Sequence, residues 1–381
     1  MSAHATSTLH VDLNAYAHNL RVIQKMLEND CLIVPVVKSD AYGHGMVPIA
    51  SRALQANISM LAVATVGEGL VLREAFPMIP ILCLVQPSDD ELMAGIRTGL
   101  RFTVSDLGTA ERIGELAHKA KKIVAIHCEV DTGMGRQGFH LDESAKSMLK
   151  ITRISNIDLE GVFTHFPVAD ARDESFTANQ IRSFKQLLKQ LARDGIPFEV
   201  GHAANSAAIL NHPDSHFDVV RPGIITYGIY PDNVVPGDSP FEPVASWTSR
   251  IVLLRELPAD AGISYGRRYK TTQQERIAVV PVGYGDGYPR ALSNRADVLV
   301  RGQRCPVRGT VTMNQIMIDV THVGGVAVGD TVTLIGEDGE QGIRAEELAD
   351  RAGTIGYEIM TGIGPQVARE YHPAIPVLEE A

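Results

Sequence analysis

Eight short apolar, β-branched runs recur along the first part of the chain, near residues 32–37, 61–66, 79–85, 102–104, 123–130, 159–164, 198–201 and 219–221. Segments with helical periodicity separate them, such as Gln180-Ile181-Arg182-Ser183-Phe184-Lys185-Gln186-Leu187-Leu188. Parallel strands need a crossover between them, so strand–helix alternation of this kind predicts a parallel sheet. Eight such units within roughly 220 residues suit a (β/α)8 barrel, which typically takes ~250.

Around residues 231–243 the composition shifts to Asp, Asn, Gly and Pro, and the pattern beyond changes to short strands separated by Gly-containing turns. Strands are expected at 251–257, 277–282, 297–300, 315–320 and 331–335, with a short helix at 344–352. The fold class predicted is α/β: an N-terminal barrel over residues 10–238, then a mostly β domain over 239–381, with residues 1–9 packing against the second.

A chain of 381 residues, 45% hydrophobic, can bury a core in each of two domains. Its net charge of −10 carries no long basic run, which argues against nucleic acid or an anionic membrane as partner. The N-terminal segment lacks the basic and apolar regions of a signal peptide, and no apolar stretch is long enough to span a bilayer, so a cytoplasmic enzyme acting on small molecules is expected. Cys31, Cys83, Cys128 and Cys305 are scattered, with no CxxC spacing; buried thiols are expected and no metal site.

Lys38 ends the first apolar run and is followed by a polar turn that opens a helix. In parallel α/β folds the carboxyl ends of the strands carry the active site. A lysine held there against apolar walls has its pKa lowered toward nucleophilic reactivity, although a strand-end lysine can also simply snorkel to water. The string Val36-Val37-Lys38-Ser39-Asp40-Ala41-Tyr42-Gly43-His44-Gly45 resembles the pyridoxal-phosphate attachment segment of the alanine racemase family. The resemblance implies that Lys38 forms a Schiff base with the cofactor aldehyde and that Tyr42 hydrogen-bonds the cofactor phosphate.

Further polar residues follow the expected strands: Asp131-Thr132-Gly133-Met134-Gly135-Arg136, Thr164-His165-Phe166, His202-Ala203-Ala204-Asn205-Ser206 and Arg221-Pro222-Gly223. Singly, each has a structural reading as a satisfied core histidine, a helix cap or a surface pair. By the resemblance, Arg221 faces the pyridine nitrogen and keeps it unprotonated, which makes the cofactor a deliberately weak electron sink. Ser206 and the backbone N–H groups of Gly223 and Ile224 cradle the phosphate, His165 lies against the ring, and His202 with Asn205 supports the network. Arg136 contacts the phenolic oxygen and the substrate carboxylate. Many members carry a modified lysine seven residues before this arginine. This chain has Glu129 there, expected to orient Arg136 with an encoded carboxylate.

Inverting Cα requires a proton removed from one face and another delivered to the opposite face, so a second acid/base is needed. Ile263-Ser264-Tyr265-Gly266-Arg267-Arg268-Tyr269 resembles the family segment that supplies it, with Tyr265 reaching the partner's active site in a head-to-tail homodimer. Tyr284 and Met313 are expected at the substrate entrance and carboxylate, and Tyr357 at the phosphate and entrance constriction. Asn314 departs from the family's usual aspartate, which leaves serine or a broader set of amino acids open beside alanine. A barrel-type decarboxylase is disfavoured by the lack of a glycine-triplet phosphate loop and a cysteine-bearing second-domain motif. A non-catalytic cofactor carrier on the same barrel is disfavoured by the β domain and Tyr265.

Overall fold

The computed structural model describes residues 6–28, 30–56, 58 and 60–374. The chain forms two compact units: one of Leu20–Ala41 with Ile49–Thr226, the other of the chain up to Asn19, Tyr42–Pro48, and the chain from Tyr227 onward. The strand Ser7–Asp12 therefore belongs to the second unit, and the expected boundary at residue 10 falls inside it. Residues 1–5 of the segment expected to pack there lie outside the described residues.

In the first unit, eight parallel strands run in the order Leu32–Ile33, Val219–Val220, Val200–His202, Ile157–Phe163, Val124–Asp131, Arg101–Val104, Ile81–Cys83 and Leu61–Val63. A parallel bridge between Val36 and Ala62 closes the ring. The first apolar run is regular only over Leu32–Ile33; Pro35 has no N–H to give to a ladder, yet its carbonyl accepts from Ala62 N–H at 3.0 Å. Buried Ile, Val and Leu side chains fill the strands, as a sheet covered on both faces requires. Helices such as Asp89–Thr98 and Leu107–Ala120 form the crossovers, the latter capped by the Asp106 carboxylate accepting from Thr109 N–H.

The second unit is built on a sheet ordered Gln303–Pro306, Asp297–Val300, Thr331–Asp338, Ala245–Arg250, Ser7–Asp12 and Ala368–His372. The N-terminal strand thus pairs antiparallel with Ala245–Arg250 and parallel with Ala368–His372. Leu253–Leu257, Glu275–Val280 and Ile316–Asp319 form a further three-stranded sheet. Helix Ala345–Ala352 matches the expected one and ends at Gly353 in the left-handed conformation; a second helix, Gly356–Thr361, follows.

Candidate active site

Lys38 is half-buried at the mouth of the barrel, and the backbone after it turns in an unusual sense. Ser39, Asp40 and Ala41 have φ, ψ near 52–54°, 48–51°, and Tyr42 has φ 54°. The segment expected to open a helix is instead one left-handed turn, and the right-handed helix starts at Met46. Each L-residue in this region costs roughly 1–2 kcal/mol, so the surroundings must hold it. Ser39 N–H donates to the Glu68 carboxylate at 2.6 Å, and Ala41 N–H to the Val37 carbonyl at 2.9 Å. Burial pulls the Lys38 pKa down and the nearby Arg136 adds to this, while the Glu68 carboxylate opposes it. A lowered lysine pKa is what an amine nucleophile needs.

Arg221 is buried, and its guanidinium is spread over fixed acceptors. Nη1 lies 2.6 Å from His202 Nδ1; Nη2 donates to the Thr164 and Ala203 carbonyls at 2.9 and 3.1 Å and lies 3.3 Å from His165 Nδ1. Behind it, His202 Nε2 is 2.8 Å from His127 Nδ1, and His127 Nε2 is 2.9 Å from Glu160. Arg101 clamps Glu160 with two bonds of 2.5 and 2.8 Å. Burial lowers the pKa of His127, and burial followed by the Arg221 charge holds His202 well below the usual range and His165 at about 3. All three imidazoles are neutral near pH 7. Burial also lowers Arg221, to about 10, which leaves it cationic.

The loop Asp131–Arg136 is folded around one side chain: the Asp131 carboxylate accepts N–H bonds from Gly133, Met134 and Gly135. Arg136 is exposed on this loop and, among the described residues, makes no hydrogen bond or ion pair. The expected Glu129–Arg136 pairing is not formed. Glu129 lies inside the barrel, 1% exposed, and accepts a short hydrogen bond from Gln137, which also donates to the Leu84 carbonyl at 2.9 Å. The Arg136 charge still acts at Glu129, but no direct bond joins the two. Burial pushes the Glu129 carboxyl up to about 7, although Gln137, Arg221 and Arg136 all favour its ionised form.

Ser206 starts the short helix Ser206–Asn211, capped by Asn205, whose Oδ1 accepts from Ala208 N–H at 3.0 Å. Ser206 Oγ accepts from Gly223 N–H at 2.9 Å, so its own proton is available to an outside acceptor. Asn205 Nδ2 donates to the Phe166 carbonyl at 3.1 Å. Barrel residues Lys38, His165, Arg136, Glu129 and Arg221 share one electrostatic neighbourhood: Arg136 acts on the titration of the other four, and Lys38 and Arg221 act on His165.

In the second unit, Tyr265, Tyr284, Met313 and Asn314 line one recess of about 670 Å³ together with Asp286 and Thr312. Tyr265 is 75% exposed, on a turn held by Thr310 Oγ1 donating to its carbonyl at 2.9 Å. Tyr357 packs against Tyr42, with ring centroids 6.1 Å apart, and Tyr42 against Tyr227 at 5.1 Å.

Sequence reasoning missed His127, Glu160, Arg101 and Gln137. The available signal was polar side chains at inward positions of otherwise apolar strands, His127 in Val124–Asp131 and Glu160 in Ile157–Phe163. Pyridoxal phosphate needs an amine, a group facing the ring nitrogen and an anion cradle. A half-buried lysine of lowered pKa, a guanidinium fixed by four contacts and a serine hydroxyl with a free proton fit that group.

The N-terminal domain model of alanine racemase matches residues 11–231, and the C-terminal domain model matches residues 244–371. An alanine racemase of Halothermothrix orenii is 45% identical, with 95% of each chain covered. The solved alanine racemase of Clostridium difficile 630 superposes with TM-score 0.92 at 37% identity, covering 97% of this chain and 96% of that one. The alanine racemase of Bartonella henselae, solved with covalently bound pyridoxal phosphate, superposes with TM-score 0.87 at 27% identity, covering 97% and 100%. With both domains matched in order and full-length relatives well above 30% identity, the chain belongs to the alanine racemase family.

Proposed function

We propose that this chain, an isomerase by family, interconverts L- and D-alanine with pyridoxal phosphate on Lys38 as one base and Tyr265 of a partner subunit as the other. The observation that carries the reading is Lys38, half-buried at the barrel mouth, with its pKa lowered by burial and then by the Arg136 charge. Bound pyridoxal phosphate supplies the electron sink that makes the substrate Cα–H acidic. Lys38 anchors the cofactor and moves the Cα proton on the D side. Tyr265, exposed beside Tyr284 and Met313, is available to move it on the L side from another subunit.

Arg221, a permanent cation, keeps the ring nitrogen unprotonated, with His165 against the ring and His202 behind the guanidinium. Ser206, Gly223, Ile224, Tyr42 and Tyr357 hold the phosphate. Arg136 has an uncommitted fork for the substrate carboxylate, and Glu129 acts on it through charge rather than contact, with Gln137 as its direct partner. Tyr284 and Asn314 at the recess bear on which side chains enter, so serine is the second substrate to test. Among the described residues no helix is long and apolar enough to cross a membrane, in keeping with a cytoplasmic enzyme acting on a free amino acid.

The test is Cα hydrogen exchange in D2O from each enantiomer. Tyr265→Phe should lose about 10²-fold or more of the exchange from L-alanine while retaining more from D-alanine. Equal rates to wild type from both enantiomers would refute the two-base scheme.

A further inference from the structure

The cysteine pattern argued against a metal site, but the folded second unit brings together residues the sequence keeps some 360 positions apart. His10 sits on Ser7–Asp12, and Glu370 and His372 on the parallel neighbour Ala368–His372, in a register that sets His10 opposite Glu370 and Asp12 opposite His372. Alternation along the first strand sends Leu9 and Val11, both 0% exposed, into the core and His10 to the other face. Residues two apart share a face, so Glu370 and His372 stand together beside His10.

We propose that His10, Glu370 and His372 form a binding site for a zinc-like divalent cation. One ligand atom from each of the three lies within 4.8 Å of the other two. His10 Nδ1 and Glu370 Oε2 are 3.3 Å apart, which is already about the edge of a tetrahedron built on metal bonds of ~2.0–2.1 Å. The two imidazoles lie nearly parallel, with centroids 6.0 Å apart and planes inclined by 29°. Side-chain rotation alone can bring His372 in to close the set.

The outer contacts favour the same atom of His10. Its Nε2 is 3.0 Å from Thr248 Oγ1 on the adjacent Ala245–Arg250 strand, so Nε2–H can donate there while the Nδ1 lone pair points at Glu370. A metal-bound histidine is held in this way, by its second nitrogen. Asp12, whose Oδ1 accepts from Asn14 and Ala15 N–H at 2.7 and 3.1 Å, is not part of this cluster. His10 and His372 line a recess of about 710 Å³ within the second unit, from which water reaches the remaining coordination positions. Two histidines, one carboxylate and an open position are the ligand pattern of zinc, and of other borderline divalent ions at lower affinity. A plain histidine–carboxylate ion pair requires neither His372 at this distance nor the Thr248 contact.

The site is tested on the holoenzyme after chelation and dialysis, by calorimetric titration with Zn2+ and by visible absorbance with Co2+. The chain has 13 histidines, so stoichiometry alone does not locate an ion and variants are needed. Wild type should take one Zn2+ per chain with micromolar or tighter affinity, and Co2+ should give the intense bands of a four- or five-coordinate site. His372→Ala and Glu370→Gln should each abolish this binding, and Thr248→Val should weaken it by about tenfold or more. Unchanged racemisation by the three variants would report an intact fold. Binding weaker than about 100 µM in wild type, or equal binding in wild type and His372→Ala, overturns the proposal.

Discussion

Arg221 Nη1 lies 2.6 Å from His202 Nδ1, and this contact fixes every proton in the buried chain behind it. A guanidinium only donates, so His202 Nδ1 accepts and its proton sits on Nε2. His202 Nε2–H then donates to His127 Nδ1, and His127 Nε2–H donates to Glu160, a carboxylate held by Arg101. The polarity runs one way, from the cation at the barrel mouth to the ion pair at Glu160. Each neutral ring is a required link, and protonating either would place a donor against a donor.

Replacing Glu160 by Gln breaks the far end of this chain. An amide can accept from His127 but cannot balance Arg101, whose side chain is 23% exposed. Removing one partner of a largely buried pair costs about 3 kcal/mol. Urea unfolding of Glu160→Gln should show a loss of that order, and a change below about 0.5 kcal/mol would show that the pair contributes nothing.

The same pair carries an acid sensitivity. Against burial, which alone would raise it, the hydrogen bonds of His127 and Arg101 and the Arg101 charge hold the folded Glu160 pKa at about 2, against ~4.3 for an unfolded glutamate. A depressed carboxylate pKa contributes stability above the unfolded value and loses it as pH falls toward the folded one. Stability should therefore decline between about pH 4.5 and 2, and Glu160→Gln should flatten that part of the profile.

Gly161 tests the middle of the chain. It pairs with His127 across the neighbouring strand, and a Cβ placed on it would run into His127 Nδ1. Gly161→Ala must push the ring away from His202. The expected result is a loss of about 1–3 kcal/mol together with reduced kcat, as overpacking and a broken buried bond act together. An alanine variant with wild-type kinetics would show that the Arg221 position does not depend on the ring behind it.

Much of this architecture could be read beforehand, and the exceptions have a common cause. The eight apolar runs marked the barrel strands, and 297–300 and 344–352 fell within a residue of the observed elements, because local periodicity records which face is buried. The Lys38 segment was identified by its residues, but its left-handed turn was not, since Ser, Asp, Ala and Tyr carry no local preference for φ > 0 that predicts four in succession. His127 with Glu160, and Glu129 with Gln137, pair across strands or between strand and loop, where the partner is set by register rather than by spacing. Glu129 was assigned to Arg136 for its charge, and the structure gives it Gln137.

That carboxylate has the opposite linkage from Glu160. Burial raises the folded Glu129 pKa to about 7, so the folded state binds the proton more tightly than the unfolded chain does. Its stabilising contribution is present below the unfolded value of ~4.3 and is lost as pH rises through about 7. Glu129→Gln removes an ionisation that opposes folding, so the variant should gain stability relative to wild type on going from pH 5 to pH 8. Denaturant midpoints at the two pH values measure it, and an unchanged difference would mean that the carboxylate is ionised and satisfied throughout.

The left-handed turn after Lys38 holds four successive residues at positive φ, and Ser39 is the position at which to probe it. Its side chain is exposed, its φ is 52°, and its N–H is committed to Glu68. Glycine enters this region without the Cβ clash, whereas a β-branched residue meets it at its worst. Ser39→Gly should therefore keep or raise stability by up to about 1 kcal/mol, and Ser39→Val should lower it by about 1–2 kcal/mol. Kinetics separate strain from function, because the turn sets the direction in which Lys38 leaves the barrel. If the Glu68 bond holds the turn, Glu68→Gln should lower kcat more than Ser39→Gly does, since it weakens the tether while leaving the φ penalty in place. Equal stabilities for Ser39→Gly and Ser39→Val would show that the turn is not left-handed at this residue in solution.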